Sequence, residues 1–471
     1  MANPKKVHPY MPNAVPETKA AMMRAIGVDD IEELFEQVPA RLRLQGPLQL
    51  PDPIVEESAL DRHLRETLAR NRSCDDVLNF LGAGCWQHYV PAVCDEIAQR
   101  SEFLTANFGS ASSDHGRFQA YFEFCSQMGE LVNMDVVGLP TYSWGCALGN
   151  AVRMASRMTG RREVLVPYTI SPERLAVLRS FCGPADVDGH IAVREIGFNA
   201  SSGLLDLDEL RRAISNETAA VYFENPSYLG FLEEQGEEIS RIAHDHGAEC
   251  VVGVDPISLG VLAAPADYGA DIVVGTTQTL GIHMNCGGGS GGFIAARDED
   301  RYVGEFPTLL VSIAPTTAGG DDERAFFLTC EHQTSYGLRD EGKDWTGNTV
   351  YLWTIVNAVY MSLLGPHGFR EIGEVILQRS RYASDTLGRI PGVDVSFAPG
   401  GFKEFVANFD DTGKTVRDIN RALLERGIFG GKDLSKDFPE LGQSALYCVT
   451  EVHTQPDVDR LAGELEEVLV R

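Results

Sequence analysis

A chain of 471 residues with 44% apolar and 23% charged side chains is long enough to bury a large core and has the balance of a water-soluble globular protein. Its 68 acidic against 40 basic residues leave a net charge of −28, which argues against a nucleic-acid-binding surface, since that requires a basic face. The ten cysteines are scattered without a CxxC pair, so they read as reduced core residues rather than a disulfide framework or a zinc site.

The first residues, MANPKKVHPYMPN, lack the apolar core of a signal peptide, and no stretch approaches ~18 consecutive apolar residues. A soluble, cytoplasmic protein with no membrane partner is the expectation. Residues 1–65 read as an arm: PETKAAMMRAIG as a short helix stopped by Gly27, DDIEELFEQVPARLRL as another, then a proline-rich linker and the amphipathic helix EESALDRHLRETLARNR. Such an arm is too small to fold alone and should lie on a larger body or on a partner chain.

From Asp75 the chain carries a glycine-hinged loop, LGAGCWQHYVP, in which His88 and Tyr89 stand as candidate site residues. Two helices follow, GRFQAYFEFCSQMGELVN and SWGCALGNAVRMASRMTG; the start of the second, after Ser143, is a candidate phosphate cradle. Then EVLVP, HIAVREIGF, TAAVYFENP and VVGVD alternate with helices of 10 to 15 residues. That rhythm predicts βαβ units and a mostly parallel sheet covered on both faces. Ligands of such sheets bind at the carboxyl ends of the strands. This singles out Asn225, Pro226, Ser227 and Tyr228 in ENPSYLG, and Asp255 at the end of VVGVD. His244 and His246 lie on a helix facing away and read as solvated.

Asp255 to Phe293 has the outline of a pyridoxal phosphate (PLP) enzyme. An aspartate at a strand end would pair with the pyridinium nitrogen. The turn after DIVVG is where such enzymes carry the lysine that forms the Schiff base. Here the turn holds Gln278, and none of the eight lysines falls between Lys19 and Lys343. Lys343, on a charged, glycine-flanked loop, reads as a surface residue. Residues 300–348 are irregular, Thr349 to Leu364 form an apolar helix stopped by Gly365-Pro366, and the remainder reads as helices on one face of an antiparallel sheet. The predicted domains are the arm (1–65), a large domain (66–330), and a connecting helix with a small C-terminal domain (331–471).

The chain resembles subunit 1 of the glycine cleavage system P-protein. The resemblance rests on PYMPN, AIGVDDIEELFEQVPARLRL, FLGAGCWQHYVPAV, RSEFLTANF, FQAYFEFCSQMGELVNMDV, ENPSYLGFLEE, VDPISLGVLAAPADYGADIVVG, SLLGPHG and ALYCVTE. It implies an α/β, aminotransferase-like fold (PLP-dependent transferase fold type I) with a mostly parallel central sheet, an N-terminal helical arm and a small C-terminal α+β domain. It also implies an α2β2 assembly in which the β subunit carries PLP on its lysine and this subunit, lacking it, helps shape the active site. The assembly would decarboxylate glycine and pass the aminomethyl group to the lipoyl arm of H-protein. Asp255 and Gln278 would then mark a vestigial cofactor pocket, with no metal. His88, Tyr89, Phe108 and Asn225 to Tyr228 would line a cleft shared with the partner. The chain departs from the family pattern at GSASSDHG after Phe108, at GGGSGG (Gly287 to Gly292), at RDEGKDWTGN and at Ser171-Pro172. These loops bear on the substrate. They keep open a diverged paralogue acting on another amino acid, and a non-catalytic scaffold of the same fold.

Overall fold

The computed structural model describes residues 10–44, 46, 48–104, 111–317, 319, 323–329, 338, 342–344, 346, 349–397 and 401–470. Phe108 lies outside them. The chain divides into two compact units, Met1–Arg72 and Ser73–Arg471.

In the first unit, helix α1 (Pro16–Ile26) starts on a proline and ends where Gly27 turns left-handed, at φ 87°. The second predicted helix of the arm is instead a pair of 3₁₀ turns, Ile31–Phe35 and Ala40–Leu42. Asp30 and Glu33 form a capping box that starts the first turn, and Pro39, which cannot carry a helical N–H, separates it from the second. Helix α2 (Glu57–Leu68) follows the proline-rich linker, and neither α1 nor α2 has a buried residue.

The second unit begins with β1 (Leu78–Asn79), α3 (Ala92–Ala98), α4 (Ala111–Val132), β2 (Val136–Val137) and α5 (Trp144–Thr159). The alternating part runs β3 (Glu163–Pro167), α6 (Pro172–Cys182), β4 (Ala192–Ile196), α7 (Leu207–Ala213), β5 (Thr218–Glu224), α8 (Gly236–Asp245), β6 (Glu249–Val254), β7 (Ile272–Thr276) and β8 (Gly292–Ala296). These strands form one seven-stranded sheet in the order β2-β8-β7-β6-β5-β3-β4, parallel throughout except for β8. Side chains alternate between two cores, as the pleat dictates. On β5, Val221 and Phe223 enter one core, and Ala220 and Tyr222 enter the other with Trp144 and Leu178.

After the short helix α9 (Asp300–Val303), the stretch expected to be irregular contains an antiparallel ribbon, β9 (Leu310–Pro315) paired with β10 (Arg324–Thr329). Both strands are mostly half-exposed, so neither shows the buried alternation that marks a strand in sequence. Helix α10 (Tyr351–Leu387) breaks at Gly365 (φ 56°, ψ −176°) before Pro366, and the apolar half stops there as expected.

The C-terminal part adds β11 (Asp394–Ser396), β12 (Glu404–Asn408), α11 (Val416–Glu425), β13 (Ile428–Phe429), β14 (Lys432–Asp433), β15 (Ser444–Cys448) and α12 (Gln455–Val470). The sheet β11-β12-β15-β14 is antiparallel and packs against α11 and α12 through Ile419, Leu423, Leu461 and Leu465. Strand β1 lies parallel to β13, so the chain leaving Asn79 enters the glycine-hinged loop from the C-terminal part of the fold. Gly82 is held close by Glu404: a Cβ there would come within 2.3 Å of its Oε1.

Candidate functional site

The carboxyl ends of β5, β6 and β7 lie side by side, and the loops that leave them carry Asn225–Tyr228, Asp255 and Gln278. Asp255 caps the 3₁₀ turn Pro256–Gly260; its Oδ1 accepts from the Ile257 N–H at 3.3 Å and from the Thr279 hydroxyl at 3.0 Å. Its Oδ2 is 2.7 Å from the ammonium of Lys403, both side chains being about 95% buried. A lysine is therefore present at the site, although none stands near it in sequence. It comes from the residue just before β12, in the C-terminal sheet.

Three further groups close around that ammonium. The Trp86 ring lies beneath it at 3.6 Å to the centroid, within cation–π range. His88 Nε2 lies 3.2 Å away, and since an ammonium has no lone pair this nitrogen is the acceptor. The opposite nitrogen, Nδ1, then carries the proton and donates to Glu451 Oε2 at 2.8 Å. Glu451 Oε1 accepts from the Tyr89 N–H at 2.7 Å, and Arg379 donates to the Glu451 carbonyl. Burial pushes the Glu451 carboxyl up, but the His88 ring and the Tyr89 N–H outweigh it and hold it at about 2. Glu451, His88, Lys403 and Asp255 thus form one buried chain of charged and polar groups, each in contact with the next.

Gln278 does not point into this chain. Its side chain is fully used on backbone: Nε2 donates to the carbonyls of Trp86 (3.0 Å) and Ile282 (3.1 Å), and Oε1 accepts from the Trp86 N–H (3.1 Å). The residue at the expected lysine position is a clamp that fixes Trp86, and Trp86 forms the floor under Lys403.

The predicted phosphate cradle is capped and packed at its first turn. At the start of α5, Ser143 Oγ accepts from the Cys146 N–H at 3.2 Å, and a Cβ on Gly145 would lie 3.0 Å from Val177. Trp144 fills the space above, stacked under the Arg174 guanidinium at 4.2 Å. Arg174 in turn makes a bidentate pair with Glu224, both bonds 2.7 Å, and the Tyr222 hydroxyl donates to Glu224 at 2.9 Å.

Among the remaining candidates, Asn225 follows β5 through a cis peptide to Pro226, and its side chain is spent on the Glu233 backbone (3.2 Å from the Glu233 N–H). Pro226, Ser227 and Tyr228 reach the pocket; burial pushes the Tyr228 phenol up to about 12. Tyr89 is 65% exposed and faces away from it. Lys343 donates to the Gly304 carbonyl at 2.8 Å and pairs with Glu305 at the surface. His244 pairs with Asp271 and is 44% exposed, and His246 Nδ1 lies 3.0 Å from the Ile242 carbonyl. Among the described residues no cluster could hold a metal ion, and no helix is long and apolar enough to cross a membrane.

Sequence reasoning missed Trp86, Arg174, Lys403, Glu404 and Glu451. The one signal available was the Lys403–Glu404 pair at the head of an apolar strand, an uncommon place for two charges unless each has a buried partner. The cavity enclosed by Trp86, Trp144, Arg174, Tyr228, Asp255 and Lys403 has a volume of about 20 Å³, room for roughly one water. Small-molecule and cofactor sites run to about 300–1,000 Å³. The residues present therefore do not fit PLP.

A sequence profile for the glycine cleavage system P-protein matches residues 8–465. The protein of Staphylothermus marinus called probable glycine dehydrogenase (decarboxylating) subunit 1 is 35% identical over 470 residues, covering 98% of each chain. Its counterpart of the same name in Thermococcus onnurineus is 36% identical over 461 residues, covering 98% of this chain and 99% of the other. A crystal structure of glycine decarboxylase (P-protein) of the glycine cleavage system in inhibitor-bound form superposes with a TM-score of 0.84 at 32% identity, covering 96% of this chain and 98% of that one. The sphingosine-1-phosphate lyase of Burkholderia pseudomallei, at TM-score 0.65 and 16% identity over 92% of this chain and 95% of that one, shares the fold alone.

Proposed function

The chain belongs to the glycine cleavage system P-protein family, and from that premise we propose that it is the lysine-less subunit of a two-subunit glycine decarboxylase whose second subunit holds the PLP. The observation that carries this reading is the filled pocket. Gln278, at the turn where a Schiff-base lysine is expected, is consumed in fixing Trp86, and Lys403 and Trp144 line a cavity with room for roughly one water. A chain of this family whose own pocket admits no cofactor needs a partner that has one. The name subunit 1 borne by relatives over their full length supports the same view. In this reading PLP, on the partner, supplies the electron sink for loss of the glycine carboxylate. The assembly is an α2β2 tetramer in the cytoplasm, and lipoyl H-protein takes up the aminomethyl group.

What this chain contributes is shape and rigidity. The His88–Glu451–Arg379 contacts and the Gln278 clamp hold the 81–91 loop on the body and leave Tyr89 projecting outward, in position to meet a partner surface.

The test is co-expression with the candidate second subunit, co-purification, and measurement of the yellow absorbance of bound PLP. The same complex is assayed for exchange of labelled bicarbonate into the carboxyl of glycine with H-protein present. A yellow complex that exchanges is the expected result. A yellow complex that ignores glycine would move the assignment to another amino acid. A second subunit fully active without this chain would overturn the proposal.

A further inference from the structure

Lys403 sits where an aspartate at the end of β6 would otherwise meet a cationic ring. Asp255 keeps the geometry of a cation acceptor: one oxygen is fixed by Thr279 and the Ile257 N–H, and the other is turned to a positive charge. Burying a lysine ammonium is unfavourable unless several groups compensate for the lost water. Here the carboxylate, the imidazole nitrogen of His88 and the face of Trp86 all converge on Nζ. A surface lysine caught by chance against one carboxylate would not be so enclosed.

We propose that Lys403 is a built-in replacement for the cofactor's cation: it satisfies Asp255, seals the pocket against PLP, and ties the C-terminal sheet to the end of β6 in a state that needs no ligand. The proposal rests on the reading that this pocket descends from a cofactor site. It adds the chemistry of its loss, which is that the charge was kept and its source became the chain itself. Lys403 is in this sense a positioning residue. It touches no substrate, and it sets the placement of Trp86 and His88, and through His88 that of Glu451.

The proposal separates charge from bulk. Lys403→Ala removes the three outer methylenes and the ammonium, which leaves a slot the size of n-propylammonium opposite Asp255. In the full chain its Tm is expected to fall by about 5 °C, because the buried carboxylate loses its partner. n-Propylammonium should restore part of that loss, and n-propanol at the same concentration should not. Pyridoxine 5′-phosphate, which has no aldehyde to react with surface amines, should leave the wild-type Tm unchanged. If Lys403→Ala yields no soluble protein, the variant pair Lys403→Met and Lys403→Met/Asp255→Asn carries the test. Removal of both charges is expected to recover most of what removal of one loses.

A wild-type chain stabilised by pyridoxine 5′-phosphate, a Lys403→Met chain as stable as wild type, or equal rescue by propanol and propylammonium would each overturn the proposal. So would a double variant no better than Lys403→Met. None of these results depends on glycine exchange by the complex. Failure of that exchange would remove the functional reading and leave the plug in place, and the reverse is equally readable.

Discussion

The pocket of the second unit and the arm of the first are opposites. In the pocket three buried carboxylates have ionic or imidazole partners, Asp255 with Lys403, Glu224 with Arg174 and Glu451 with His88, and a fourth, Glu404, accepts from the Ala83 N–H. In the arm no residue of either helix is buried, and α2 shows Leu60, Leu64 and Leu68 in one stripe at 41, 49 and 63% exposure. The pocket is filled by the chain's own side chains, with room for roughly one water. The arm carries an apolar stripe that its own elements do not bury. The difference teaches where the chain answers its own groups, which it does for the charges of the pocket and does not do, within the arm, for the stripe of α2.

Three measurements break or sharpen that contrast. The largest effect is expected at Glu451. Its carboxyl, held at about 2 in the fold against about 4.5 unfolded, binds fewer protons in the native state at intermediate pH. Its contribution is therefore fully present above pH ~4.5 and is lost as pH falls towards 2. Glu451→Gln should lose that stability near neutrality and flatten the acid limb of a urea-unfolding series taken against pH. An unchanged acid limb would show that the His88–Glu451 contact is not a buried tie.

A smaller effect is expected at Gln278. Gln278→Leu keeps bulk and removes the bonds to Trp86 and Ile282, leaving the Trp86 N–H buried without an acceptor; about 2 kcal/mol should be lost by urea unfolding. Gln278→Lys should gain no yellow absorbance on addition of PLP, because the space in front of it is already filled. A coloured product would mean that one residue alone separates this pocket from a working one.

The smallest effect on stability belongs to the arm. Leu64→Glu/Leu68→Glu should change unfolding of the chain by no more than about 0.5 kcal/mol, as exposed positions do. The same variant should weaken binding to the second subunit at least about tenfold, ~1.4 kcal/mol, by sedimentation or titration calorimetry. A lower Tm with unchanged affinity would place the stripe against the chain's own body.

Much of this was written locally. The alternation of apolar strands with helices defined the central sheet, because burial on both faces imposes continuous apolar runs that need no tertiary information to recognise. Strand ends placed Asp255, Ser227 and Tyr228 at one edge, and the absent lysine at Gln278 was visible directly. The ribbon β9–β10 was not legible, since its half-exposed strands are defined by each other rather than by a core.

The sequence by itself determined the fold class, the edge at which a site would lie, and the absence of a Schiff-base lysine from the turn after β7. Only the tertiary structure decided which groups meet Asp255 at the end of β6. Lys403 meets His88 across 315 residues, and His88 meets Glu451 across 363. No local pattern marks such contacts. A buried charge is tolerable only through its partners, and those partners are brought together by the packing of one sheet's end against another.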